Sequence, residues 1–193
     1  MLDNIINKNI IFLQKNGIKM ETEDDKDVYK YGLQLIYSYI INISIILVVS
    51  ACFHKLYETS IMIFMFAVFQ AFGGGYHAKT KLKCLSLMIM GSIAGNVLID
   101  VISNYKLFMI ASIILSSAII LMLAPVTNKK HPVSKKTKYR SKLIIRVIVI
   151  LILLAAIMLG YFNKITEVAT ITVVLGLYLI SLIATKINSI KNG

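Results

Sequence analysis

The sequence predicts an all-α integral membrane protein, with about six transmembrane helices preceded by an N-terminal interfacial amphipathic helix. Three observations carry that expectation. Mean hydropathy is +0.78 and 58% of the 193 residues are hydrophobic. Only 16% are charged, against roughly 25% in soluble domains. Six apolar stretches, at roughly 31–53, 59–73, 85–103, 106–125, 143–162 and 166–185, mostly approach the ~20 residues that cross a hydrocarbon core. One bundle of spans (31–185) fills the length, so a single domain over 1–193 is expected, without a separate soluble domain.

Ahead of the first stretch, Leu2, Ile5, Ile6, Ile10 and Leu13 fall on one helical stripe, with Asn4, Lys8 and Asn9 mostly opposite. That pattern predicts an amphipathic helix within 1–20, lying in the membrane interface and stopped near Gly17. The N-terminus lacks the basic opening and small-residue cleavage site of a secretory signal, so the spans themselves are expected to direct insertion. Glu21, Glu23, Asp24, Asp25 and Asp27 read as a solvated turn into the first span. The second stretch is short and runs into Gly73-Gly74-Gly75. Irregular backbone at membrane depth is tolerated only where it is buried in protein or lines a wet cavity.

The net charge of +12 is not spread over a soluble face. Basic residues cluster between the apolar runs, which suits cytoplasmic retention and anionic phospholipid headgroups rather than nucleic acid. The 126–142 connection carries Lys129, Lys130, Lys135, Lys136, Lys138, Arg140 and Lys142, and is expected on the cytoplasmic side. Counting spans from there puts Lys79, Lys81 and Lys83 on the same side, with both termini. A cell-membrane protein with cytoplasmic N- and C-termini is the consistent topology.

The 73–84 loop concentrates the chemistry. It holds one of three histidines, His77, and one of two cysteines, Cys84. On a continuous helix the two would sit roughly 10 Å apart along the axis, so a base–nucleophile contact requires a bend, for which the glycines supply freedom. Lys79, Lys81 and Lys83, and a helix N-terminus at Cys84, would favour a thiolate. By residue type alone the pair competes with a plainer reading, an interfacial histidine and a small apolar residue at a helix end. A metal site is disfavoured, since two ligands fall short of the three or four that zinc takes. No cofactor is expected.

Gly74-Gly75-Tyr76-His77-Ala78, with Cys84 seven residues beyond the histidine, resembles the signature of the accessory gene regulator protein B family. Its members are integral-membrane cysteine endopeptidases that mature quorum-sensing peptides in Gram-positive bacteria. The likeness extends over nearly the whole chain, including the basic Ala124-Pro125…His131-Pro132 loop. It implies catalytic roles for His77 and Cys84, with Gly74 and Gly75 in support; Gln70 is a further candidate, as an uncharged amide able to donate a hydrogen bond to an oxyanion or to orient His77. The family often carries a basic residue shortly before the glycines, where this chain has Gln70. The implied substrate is a small membrane-associated propeptide whose acidic C-terminal tail is held by Lys79, Lys81 and Lys83. Cleavage through a Cys84 thioester, then ring closure by an internal Cys or Ser of the propeptide, would give a thiolactone or lactone. The competing class is a small membrane transporter or exporter of a signalling peptide, but no repeat and few midplane ionisable groups favour it.

The remaining polar residues read as structural. Asp100 is expected near the outer end of the third span, in water or paired with Lys106, and Asn96 as interhelical glue. Arg146 is expected to snorkel to headgroups. Gly91 and Gly95 form a Gly-xxx-Gly packing signal, of which a homodimer is one use. Cys52 and His54 fall on the outer side, and His131 in the basic loop.

Overall fold

The structure, a computed structural model, describes residues 2–18, 22–76, 81–126 and 135–191. The described residues form α1 (Leu2–Lys15), α2 (Glu23–Cys52), α3 (Leu56–Gly73), α4 (Lys81–Ile102), α5 (Lys106–Leu123), α6 (Lys135–Tyr161) and α7 (Ile165–Lys191), with no strand among them. Helices α2 to α7 are six elements long and apolar enough to cross a membrane. The chain divides into two compact units, Met1–Ile45 and Ile46–Gly193.

In the first unit, α1 ends as its sequence dictates. Gly17 takes φ +87°, its N–H donates to the Gln14 carbonyl, and Ile18 N–H donates to the Leu13 carbonyl. That is a Schellman closure, which needs a left-handed residue after the last turn. Ile6 and Ile10 are buried, and Asn9 Nδ2 donates to the Tyr37 hydroxyl at 2.5 Å, tying α1 to α2. The acidic patch is not the expected turn. From Glu23 onward it forms the first turns of α2. Thr22 caps that helix: its Oγ1 accepts the Asp25 N–H, and Asp25 Oδ2 accepts the Thr22 N–H, each at 3.1 Å. The carboxylates therefore sit at the positive end of the helix dipole, where negative charge is stabilising.

In the second unit, α7 is the hub, touching α3, α4, α5 and α6. Some 56% of its apolar window is buried, against 28% for α5, the next highest. Residues 168–175 are buried without interruption, which marks a helix surrounded by protein on every side. Its composition allows this. Ala169, Thr170 and Thr172 are small and buried there, whereas α6 presents large aliphatic side chains such as Leu151, Leu154 and Ile157 outward. The buried Thr170 and Thr172 hydroxyls donate back to the Thr166 and Val168 carbonyls at 2.8 Å, so neither carries an unmet hydrogen bond into the bilayer.

Helices α3 and α4 run antiparallel. Asn96 Nδ2 donates to Thr59 Oγ1 at 2.9 Å, as expected of an interhelical amide. A β-carbon on Gly95 would collide with the Met62 methyl, while one on Gly91 would meet nothing. Asp100 pairs with Lys55, at the start of α3, and not with Lys106; the Nζ–Oδ1 separation is 2.5 Å. Lys55 also faces Glu58 at 3.7 Å. Two turns at this end, α2–α3 and α6–α7, close on left-handed residues, His54 (φ 55°) and Asn163 (φ 56°), each flanked by the same paired bonds as Gly17.

Candidate active site

Helix α3 ends at Gly73 because the next residue leaves helical space in a direction open only to glycine. Gly74 adopts φ 74° and ψ 178°, while its N–H still donates to the Gln70 carbonyl. Gly74, Gly75 and Tyr76 are then non-helical. A second segment, following α5, lies alongside. Val126 N–H donates to the Gly73 carbonyl at 3.0 Å, and a β-carbon on Gly74 would strike the Val126 carbonyl oxygen. The ends of α3 and α5 are thus joined through backbone. That junction meets the requirement that polar groups be satisfied within the protein where membrane helices stop.

Helix α7 supplies the floor. Tyr178 is fully buried, its ring stacked on Phe69 with centroids 4.6 Å apart and set edge-on to Phe66 at 6.3 Å. Its hydroxyl lies against Gly73 and has no hydrogen-bond partner among the described residues. One turn further along, Ser181 Oγ accepts the Tyr76 N–H at 2.9 Å. From the α3 side, Gln70 Nε2 points at the Tyr76 carbonyl from 3.5 Å. Gly75 sits between these two side chains: a β-carbon there would be 3.0 Å from Ser181 Oγ and 3.2 Å from Gln70 Cγ.

The expected residues divide as follows. Gln70, Gly74 and Gly75 come together with Tyr76, Tyr178, Ser181 and Val126. Cys84 is a free, half-buried thiol in the opening turn of α4, and Lys83 beside it is exposed. His77 and Lys79 lie outside the described residues, as does the Lys81 side chain, although Lys81 begins α4. His131 and its proline also lie outside them. Among the described residues no group of three His, Cys, Asp or Glu side chains converges.

The charge around this end is one-sided. The antiparallel run of α3 and α4 places Lys83 at the glycine end, with Lys136, Lys138, Arg140, Lys142 and Arg146 at the start of α6 and Lys186 near the end of α7, all exposed. The only acids in residues 46–193 are Glu58, Asp100 and Glu167, and each belongs to the opposite end.

Sequence reading missed Tyr178 and Ser181. Their one signal is spacing: Tyr178, Ser181 and Thr185 recur at three and four residues on a single face of an otherwise apolar span. Similarity to known proteins covers most of the chain. A family model described as Accessory gene regulator B matches residues 6–183. No curated protein and no solved structure matches.

Proposed function

The chain belongs to the accessory gene regulator B family, which acts in the processing of quorum-sensing peptides, and from that premise we propose that it is a membrane-embedded cysteine endopeptidase. Cys84 is the nucleophile and His77 the base. Cys84 Sγ attacks a peptide carbonyl of a small membrane-associated propeptide, passing its proton to His77. The C–N bond breaks as His77 protonates the departing amine, releasing the acidic tail and leaving a thioester on Cys84. An internal Cys or Ser of the propeptide then gives its proton to His77 and attacks the thioester carbonyl. The bond to Cys84 breaks, the thiolate returns, and a thiolactone or lactone is the product. The Cys84 thioester already carries an activated carbonyl, so closure to either ring needs no nucleotide. Excluding water protects the intermediate from hydrolysis.

The family match over a span that contains both His77 and Cys84 carries this reading. The surroundings of Cys84 support it. The thiol sits in the first turn of α4, where the helix dipole stabilises negative charge. The end of the bundle that bears it is uniformly basic, suited to an acidic tail held by Lys79, Lys81 and Lys83, and to a cytoplasmic face lined by anionic lipids. The same charge bias supports cytoplasmic termini.

The test is propeptide cleavage in reconstituted vesicles by Cys84→Ser and His77→Ala. Loss in both is expected. Unchanged cleavage in both would remove the peptidase assignment, and intact cleavage with lost product export would favour a transporter.

A further inference from the structure

The residue that leads into His77 has its backbone N–H held by a serine of a helix far away in sequence. The backbone N–H of Tyr76 has left helix α3 and has no helical acceptor of its own; Ser181 Oγ supplies one at 2.9 Å. Buried and half-buried N–H groups require such a partner. Three threonines of α7 turn back on their own helix: Thr170, Thr172 and Thr185 each donate to the carbonyl four residues earlier. Ser181 instead reaches across to another element. Its mount is rigid, because α7 is the most buried span and Tyr178, one turn before, is locked between Phe66, Phe69 and Gly73.

We propose that Ser181 is a positioning residue for the peptidase reaction: by holding the Tyr76 amide against α7 it sets the place from which His77, the next residue, addresses Cys84. This rests on the assignment of His77 and Cys84 above. Gln70 opposes it across Gly75, so the chain is gripped from α3 and α7 at a spot that only a glycine leaves narrow enough. A base displaced by about 1 Å can cost on the order of a hundredfold in rate, so one lost anchor is enough to matter. The hydroxyl's task is to accept, which a threonine also performs and an alanine does not.

The experiment uses the full chain in anionic vesicles, in a Cys52→Ser background so that Cys84 is the one thiol. Two quantities are read on the monodisperse fraction. One is the steady-state cleavage of a synthetic propeptide with an amphipathic start, one internal Cys and an acidic tail. The other is the pH profile of Cys84 alkylation by iodoacetamide, with His77→Ala as the reference for a thiol without its base. Ser181→Ala is expected to lower kcat by roughly tenfold to a hundredfold with KM held within about twofold. Its alkylation profile should move toward that of His77→Ala, and Ser181→Thr should restore both readouts.

Wild-type kcat and a wild-type alkylation profile in Ser181→Ala would overturn the proposal, as would failure of Ser181→Thr to restore them. Cys84→Ser, assayed alongside, separates the levels. Cleavage by Cys84→Ser removes the peptidase reading and this role with it. Loss there, with Ser181→Ala unimpaired, removes only the role of Ser181.

Discussion

The Tyr178 hydroxyl occupies the space beside Gly73 where any other residue would carry its β-carbon. The contact joins the last residue of α3 to the central helix, directly beneath the glycine segment. A Gly73→Ala methyl would also lie 3.0 Å from Ile145 Cδ1. Overpacking of this kind costs typically about 1–3 kcal/mol. Tyr178→Phe alone should be neutral or stabilising, because it removes a buried hydroxyl with no partner among the described residues. In combination it should recover part of the Gly73→Ala loss, giving a non-additive cycle in thermal unfolding followed by circular dichroism.

Gly74 is constrained twice, by its backbone angles and by the Val126 carbonyl. Gly74→Ala is expected to cost about 1–3 kcal/mol of stability. It should also shift the α3 end away from the segment after α5 and abolish most propeptide cleavage. Wild-type stability and cleavage in that variant would contradict the geometry of the site.

Gly91 and Gly95 look alike in sequence but not in the fold. Gly95 lies against Met62 and Val173, while nothing stands within 4 Å of a β-carbon on Gly91. Gly95→Leu should destabilise the bundle by about 1–3 kcal/mol, and Gly91→Leu should leave thermal unfolding unchanged. If Gly91→Leu instead changes the mass measured by light scattering in detergent, that glycine serves contact between copies.

At the opposite end, the hydrogen bond to Asp100 is the main cause that raises the Lys55 pKa above its ordinary 10.5, with the attraction of Glu58 adding to it. A value higher in the folded than in the unfolded chain means stabilisation that is complete below pH 10.5 and fades as pH rises through the raised value. Asp100→Asn should therefore lower stability at neutral pH, by at most about 1 kcal/mol because Asp100 is 58% exposed and water screens the pair. The gap between variant and wild type should narrow in strongly alkaline buffer. A gap that widens there would contradict the pairing.

Much of this architecture is legible in the sequence, since hydrocarbon runs, charge clusters and glycines act locally. The end of α3 at Gly73 and the amphipathic α1 follow from such signals. The acidic patch departs from its expected turn for a physical reason: carboxylates suit both a solvated turn and a helix N-terminus, and only the Thr22 cap decides between them. Asp100 finds a different partner because the nearest lysine in sequence, Lys106, lies beyond a turn, whereas antiparallel packing brings in Lys55 from another helix. Tyr178 and Ser181 stay hidden in the sequence because their meaning depends on which helix occupies the centre. Spans α6 and α7 are both strongly apolar, and hydropathy does not say which of them faces lipid.

Acyl transfer through Cys84 would leave a covalent intermediate that can be trapped. The reconstituted chain, in the Cys52→Ser background, would be mixed with a propeptide whose internal cysteine is replaced by alanine, which cannot close the ring. The protein would then be analysed by intact and peptide mass spectrometry. An adduct equal in mass to the N-terminal part of the propeptide is expected, carried by the Cys84 peptide, discharged by hydroxylamine and missing from Cys84→Ser. Tail release with no adduct on Cys84, and undiminished in Cys84→Ser, would contradict it.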